Sequence, residues 1–145
     1  MKAVVINIKE RFGDKIIKID EKTGRRVYVD FKPADIPEAV KFLFKELGLR
    51  FATATGIDTP GGIEILYHFS QDKTGHVITL RTILEDKASP RIKSIAPIIT
   101  GAEWIEREMW EMLGIDFIGH PNLKRLLLAD EWPEGKYPLR HDHES

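Results

Sequence analysis

Three strand-length apolar runs, Phe51–Ile57, Ile63–Ser70 and His76–Leu84, follow one another with only DTPGG and QDKTG between the main blocks. No helix fits in such short connections, and Gly, Pro, Asp and Thr are turn residues. The spacing therefore predicts a three-stranded antiparallel meander. Whatever else the chain builds must pack on that sheet.

The flanking segments supply the rest of a fold. In Ala3–Phe12, Val4, Val5, Ile8 and Phe12 fall at helical spacing, which predicts a short amphipathic helix, with a strand as the rival reading. KIIKID and RRVYVDF around EKTG predict a hairpin, with Gly24 available for a left-handed turn position. Asp35-x-x-Glu38 has the form of a capping box opening a helix faced by Val40, Leu43, Phe44 and Leu47 and stopped at Gly48. Pro90 and Pro97 leave room for a short helical turn. Thr100-x-x-Glu103 is a second capping-box pattern, and Gly114 is the matching stop. On that helix Ala102, Ile105, Met109 and Met112 share a face, and Glu103 precedes Arg107 at ion-pair spacing. The order α-β-β-α-β-β-β-α predicts a two-layer α+β fold: a mixed five-stranded sheet, with helices on one face. The division is a domain over 1–114 and an extended, partner-docking tail over 115–145.

Composition narrows the function. The formal net charge is −1 and basic residues are interspersed with acids, so there is no electrostatic case for nucleic acid or an anionic membrane surface. With no cysteine, this chain has no disulfide, zinc-thiolate site or cysteine-ligated iron–sulfur cluster. No apolar run is long enough for a membrane helix. The N-terminal MKAVVINIKERF lacks the h-region and cleavage site of a signal peptide, which predicts a cytoplasmic protein. Asn is confined to Asn7 and Asn122 and Gln to Gln71, against abundant Lys and Glu, a hyperthermophile pattern.

The segment after Gly114 is the unusual one. Gly119, Pro121, Pro133, Gly135 and Pro138 interrupt it, yet Phe117, Leu123, Leu126, Leu127, Leu128 and Trp132 make it too apolar for a disordered tail. Either it covers its own sheet or it lies on another protein as a string of anchors.

Here the residues resemble a known family. Glu106-Arg107-Glu108, the acid Glu111, Met112-Leu113, then His120, Lys124 and Leu126-Leu127 carry the signature of the hydrophilic thirty-kilodalton subunit family of respiratory complex I. GIDFIGHPNLKRLLL, TGIDTPGGIEILYHF and VITLRT resemble it too. The resemblance implies a non-catalytic subunit of a complex I-like energy-converting oxidoreductase, of membrane-bound hydrogenase or NADH dehydrogenase type. It would dock on the large catalytic subunit and support the electron-transfer arm. The implied partners are that large subunit and a cluster-bearing small subunit. Iron–sulfur clusters and the nickel–iron or quinone site belong to those partners, and no cofactor to this chain. The implied place is peripheral, on the cytoplasmic side of the membrane, with membrane contact only through the complex. Together with the composition, the chain's stopping soon after the signature favours an archaeal hydrogenase-type complex. A sulfur-reducing complex of the same family is compatible.

The residues expected to meet the partner are Glu106, Arg107, Glu108, Trp110, Phe117, His120, Pro121, Leu123, Lys124, Arg125, Leu126, Leu127, Leu128 and Trp132. Glu106 and Glu108 are two apart on a helix, so they point to different sides and do not form an acid/base pair on one substrate. His120 precedes Pro121, lacks companions at metal-ligand spacing, and reads as a hydrogen-bonding residue that fixes the turn or meets the partner. His141-x-His143 beside Asp142 is a terminal pair more often incidental than metal-binding. The reading from another class is a stand-alone small-molecule enzyme using Glu108, His120 or Arg107.

Overall fold

The structure is a computed structural model that describes residues 2–123 and 137–140. Its elements are α1 (Lys2–Phe12), β1 (Ile16–Thr23), β2 (Arg26–Phe31), α2 (Ile36–Lys41), β3 (Arg50–Thr59), β4 (Gly62–Gln71), β5 (His76–Leu84), β6 (Arg91–Lys93), α3 (Ala102–Leu113) and β7 (Asp116–Ile118). Among the described residues the strands form a five-stranded sheet ordered β1-β2-β5-β4-β3 and a two-stranded sheet of β6 and β7. The large sheet is mixed, since β1 runs antiparallel to β2 and β2 runs parallel to β5. The α+β class and the meander order expected from the three apolar runs are what the chain builds.

The chain forms two compact units. In the first, residues 1–53 and 66–82, Val27 and Val29 of β2 lie level with Ile78 and Leu80 of β5, and Phe31 follows on β2, all buried. Alternation along each strand puts these residues on one side. Helix α1 buries Val4, Val5, Ile8 and Phe12, and the Phe12 ring meets Phe31 and Phe42 edge-on at 5.2 and 5.6 Å. The other side of β2 is polar. Arg81 donates two hydrogen bonds to Asp30, at 2.8 and 3.0 Å, beside Tyr28.

The second unit, residues 54–65 and 83–145, contains α3, β6 and β7. Its core includes Ile63, Ile65, Ile92, Ile95, Met109, Leu113, Ile115 and Phe117. Backbone contact is close at the start of β4. A Cβ on Gly62, which has φ +146°, would overlap the Leu84 carbonyl oxygen and come within 3.1 Å of Glu85 Cα.

Several local expectations are corrected. Gly24 is absent from the residues with positive φ; the Thr23 hydroxyl closes that turn by accepting from the Arg25 N–H at 3.1 Å. Neither capping box forms. Helix α2 is entered through the 3-10 turn Pro33–Asp35, and Asp35 makes no side-chain cap. Helix α3 is entered through Gly101, with the Ala102 and Glu103 N–H groups donating to the Ile99 and Thr100 carbonyls. Backbone turns thus take the place of side-chain caps. Helix α2 widens into a π turn over Phe42–Glu46, which leaves Phe44 and Leu47 only partly covered. Strands β6 and β7, three residues each, had no sequence signal.

Replacing Gly62 with Ala is expected to destabilise the protein by roughly 1–3 kcal/mol, because strained φ and backbone overlap coincide there. Urea unfolding checks it, and an unchanged midpoint would refute the close packing.

Candidate partner-docking site

Helix α3 carries the signature acids, and the fold treats them differently. Its apolar residues were expected on one face through Ala102, Ile105, Met109 and Met112. The buried set is Ala102, Glu106, Met109, Glu111 and Leu113. The inward face is therefore rotated from the expected one and contains two acids.

Glu106 is fully buried. Its carboxylate accepts from the Ser94 hydroxyl at 2.5 Å and from the Ile95 N–H at 2.9 Å. Ser94 Oγ in turn accepts from the Ala96 N–H at 3.0 Å. Burial raises the Glu106 pKa above its ordinary value; the bonds from Ser94 and Ile95, and the nearby His120, oppose that rise. The expectation of a solvated or interface-facing Glu106 gives way to an internal role. An isolated acid in this position would be prohibitive, so the bonds are what make the site tolerable.

His120 joins the same cluster. Its side chain is fully buried although the residue's backbone is not. The Asn122 N–H donates to Nδ1 at 2.9 Å, so the ring proton sits on Nε2, which donates to the Glu103 carbonyl at 2.9 Å. Nε2 lies 4.0 Å from Glu106 Oε1. His120 thus fixes the turn across Pro121 and ties it to α3, as one of its two expected roles required. Both ring nitrogens are occupied, and its acidic neighbour is Glu106. The Glu108/His120 pair on which a small-molecule enzyme would rely is not assembled.

The remaining expected residues divide by exposure. Arg107 sits 5.8 Å from the Trp104 ring centroid rather than pairing with Glu103, and Trp104 is 58% exposed. Arg107 Nε is buried without a hydrogen-bond partner among the described residues. Glu108, Trp110 and Leu123 are partly exposed and Pro121 is exposed. Phe117 is buried in strand β7, whose pairing with β6 is parallel. Lys124, Arg125, Leu126, Leu127, Leu128 and Trp132, and the His141–His143 pair, lie outside the described residues.

Sequence reading missed a second polar cluster. Asp58, taken for part of a turn, is a buried residue of β3 that pairs with Lys87 at 2.5 Å. Arg140 donates to the carbonyls of Leu113 at 3.0 Å and Lys87 at 2.7 Å, and its Nε is 3.8 Å from Asp58. The Leu139 N–H donates to the Met112 carbonyl at 2.9 Å, and the Tyr137 ring lies where a Cβ on Gly114 would stand. Residues 137–140 are thereby fastened to the C-terminal end of α3. The left-handed Gly114, at φ +77°, ends α3 as the sequence indicated.

The family model described as respiratory-chain NADH dehydrogenase, 30 Kd subunit, matches residues 29–145. A subunit of the NADH-quinone oxidoreductase of Chloroherpeton thalassium is 37% identical over 142 residues, covering 94% of this chain. This chain spans 58% of that relative's length. Formate hydrogenlyase subunit 5 of Escherichia coli is 32% identical over 139 residues, covering 93% of this chain and 24% of that one. Among solved structures, a chain of the membrane-bound sulfane sulfur reductase, an archaeal respiratory membrane complex, matches with a TM-score of 0.84. That match covers 97% of this chain and 84% of the other at 24% identity, a likeness of fold.

Glu106→Ala is expected to cost about 3 kcal/mol, since it strands the Ser94 hydroxyl and the Ile95 N–H in the interior. Glu106→Gln tests the titration. A carboxyl with a raised folded-state pKa binds its proton more tightly when folded, so its contribution to stability falls as pH rises above the ordinary glutamate value of about 4.3. The Gln variant should lose that decline in a series of urea melts across pH. An identical pH slope in both proteins would refute it.

Proposed function

Because the chain belongs to the respiratory-chain NADH dehydrogenase 30 kDa subunit family, we propose that it is a non-catalytic hydrophilic subunit of a complex I-like energy-converting oxidoreductase. It docks on the large catalytic subunit, next to a cluster-bearing small subunit, and supports assembly of the electron-transfer arm. The observation that carries this reading is the family match over residues 29–145. The absence of cysteine from the sequence agrees with a role that leaves the clusters, and the nickel–iron or quinone site, to the partner subunits.

No helix among the described residues is long and apolar enough to cross a membrane. The proposed place is the cytoplasmic side of the membrane, reached through the complex. A hydrogenase-type complex of a hyperthermophilic archaeon is the finer proposal, supported by the Lys- and Glu-rich composition and by the formate hydrogenlyase relative. Relatives named for quinone and for formate hydrogenlyase share the family sequence. The electron acceptor is therefore a property of the other subunits. The docking residues proposed are those of α3 that remain partly exposed, Arg107, Glu108 and Trp110, with Lys124, Arg125, Leu126, Leu127, Leu128 and Trp132.

A truncation at Gly114 would not test docking cleanly, since it removes the buried Ile115, Phe117 and Arg140. Substitution does. A tagged chain purified from its own host should bring the large and small subunits with it. Changing Leu126, Leu127 and Leu128 together to Ser, or Arg107 to Ala, should weaken that association by about 2 kcal/mol or more, over tenfold, with little change in the isolated chain's melting temperature. Undiminished recovery of the complex from these variants would overturn the docking surface. Recovery of the wild-type chain alone would overturn the functional reading.

A further inference from the structure

Part of the apolar surface of α3 is left uncovered. Met109 and Leu113 are buried, but Ile105 and Met112 are only partly covered. Glu108 stands between them on the same helical stripe. Leu139, which is 56% exposed, and the β3 backbone around Gly56 help to complete a groove of about 240 Å³. Gly56 makes the groove possible. The Leu113 Cδ1 methyl lies where its Cβ would be and Met109 Sδ is 3.3 Å from that point, so helix and strand meet without an intervening side chain.

The groove has a defined chemistry. It is smaller than the roughly 300–1,000 Å³ of small-molecule sites, and is on the scale of one or two protruding side chains. Methionine walls adapt to the shape of what enters, and are common at protein interfaces. Glu108 is its one charged group, and it forms no ion pair among the described residues. A two-fold contact between copies of this chain through the groove would oppose carboxylate to carboxylate, which disfavours self-association there. The complementary occupant is an apolar side chain with a cation beside it.

We infer that this groove receives an apolar anchor from a neighbouring subunit of the complex, with a lysine or arginine of the same segment pairing to Glu108. The inference rests on the proposed function and gives the partner segment its chemistry. The anchor enters between Ile105 and Met112, over Met109, and the cation settles on the Glu108 rim. A pair that is partly desolvated on binding, next to an apolar anchor, is the arrangement in which a charge contributes both specificity and residence time.

The experiment uses the full chain in its own host, with a photo-cross-linking p-benzoylphenylalanine in place of Met112. Irradiation of the assembled complex, followed by peptide mass spectrometry, should identify a segment of another subunit that has a large apolar residue within two positions of Lys or Arg. Glu108→Lys should lower the cross-link yield about tenfold, and reversing the identified cation to Glu should restore it. Glu108→Gln, a milder change, should give an intermediate loss, and a melting curve establishes that each variant is folded. A cross-link to residues 124–136 of the same chain, or to a second copy, overturns the inference. So does a partner segment without a cation, or a yield indifferent to position 108. If the complex is recovered intact but cross-links from this position are absent, the groove proposal fails while the functional reading stands. If no other subunit is recovered, it is the functional reading that fails.

Discussion

The second unit depends on one buried carboxylate. Glu106 holds the Ser94 hydroxyl and the Ile95 N–H from within α3, and His120 approaches it from the segment after β7. Three stretches of chain that share no continuous secondary structure therefore meet at a single side chain. The Ser94 N–H also donates to the Ile118 carbonyl at 2.8 Å, so the residue that satisfies Glu106 also links the two short strands. Without that acid, the Ser94 hydroxyl and the Ile95 N–H would lose these acceptors in the interior. A buried charge is costly, and this one is tolerated because each of its bonds also satisfies a group that would otherwise be stranded.

The same arrangement leaves α3 able to take the second role proposed for it. Its inward side is committed by Glu106, Met109 and Leu113. Its other residues, Trp104, Arg107, Glu108 and Met112, are thereby presented in fixed positions, as a rigid element presents a binding surface better than a loop does. The signature acids were distributed by the helix period, Glu106 and Glu111 to the interior and Glu108 to the rim, so Glu106 and Glu108 do not meet at one substrate.

What could be read from sequence was what local pattern determines. The apolar runs set β3, β4 and β5, the EKTG hairpin set β1 and β2, and Gly48 and Gly114 marked helix ends because only backbone geometry is involved. Long-range pairing was not legible. Strands of three residues have no period, and the parallel match of β6 to β7 joins segments far apart in the chain. Burial of Glu106 and Asp58 was also hidden, since an acid counts as polar in any pattern and its partners are a backbone amide, a serine and a distant lysine. Arg140 was missed for the same reason, because two of its acceptors are carbonyl oxygens, which every residue has. The capping boxes misled in the opposite way. The motif was present, but a backbone turn already satisfied the amides it would have served. The family resemblance supplied identity, and said nothing of which signature residue faces inward.

The fastening of residues 137–140 has a topological meaning. His120 ties the chain to α3 on one side of residues 124–136, and Tyr137, Leu139 and Arg140 tie it again on the other. Both ties lie in the second unit, at Glu103 and at the C-terminal end of α3. Most of the entropy of bringing the two ties together is spent when the unit folds, and that cost grows only slowly with the length of chain between them. Insertions or deletions between the two ties would thus leave both attachments to α3 in place, so length there can vary without redesign of the body that bears them.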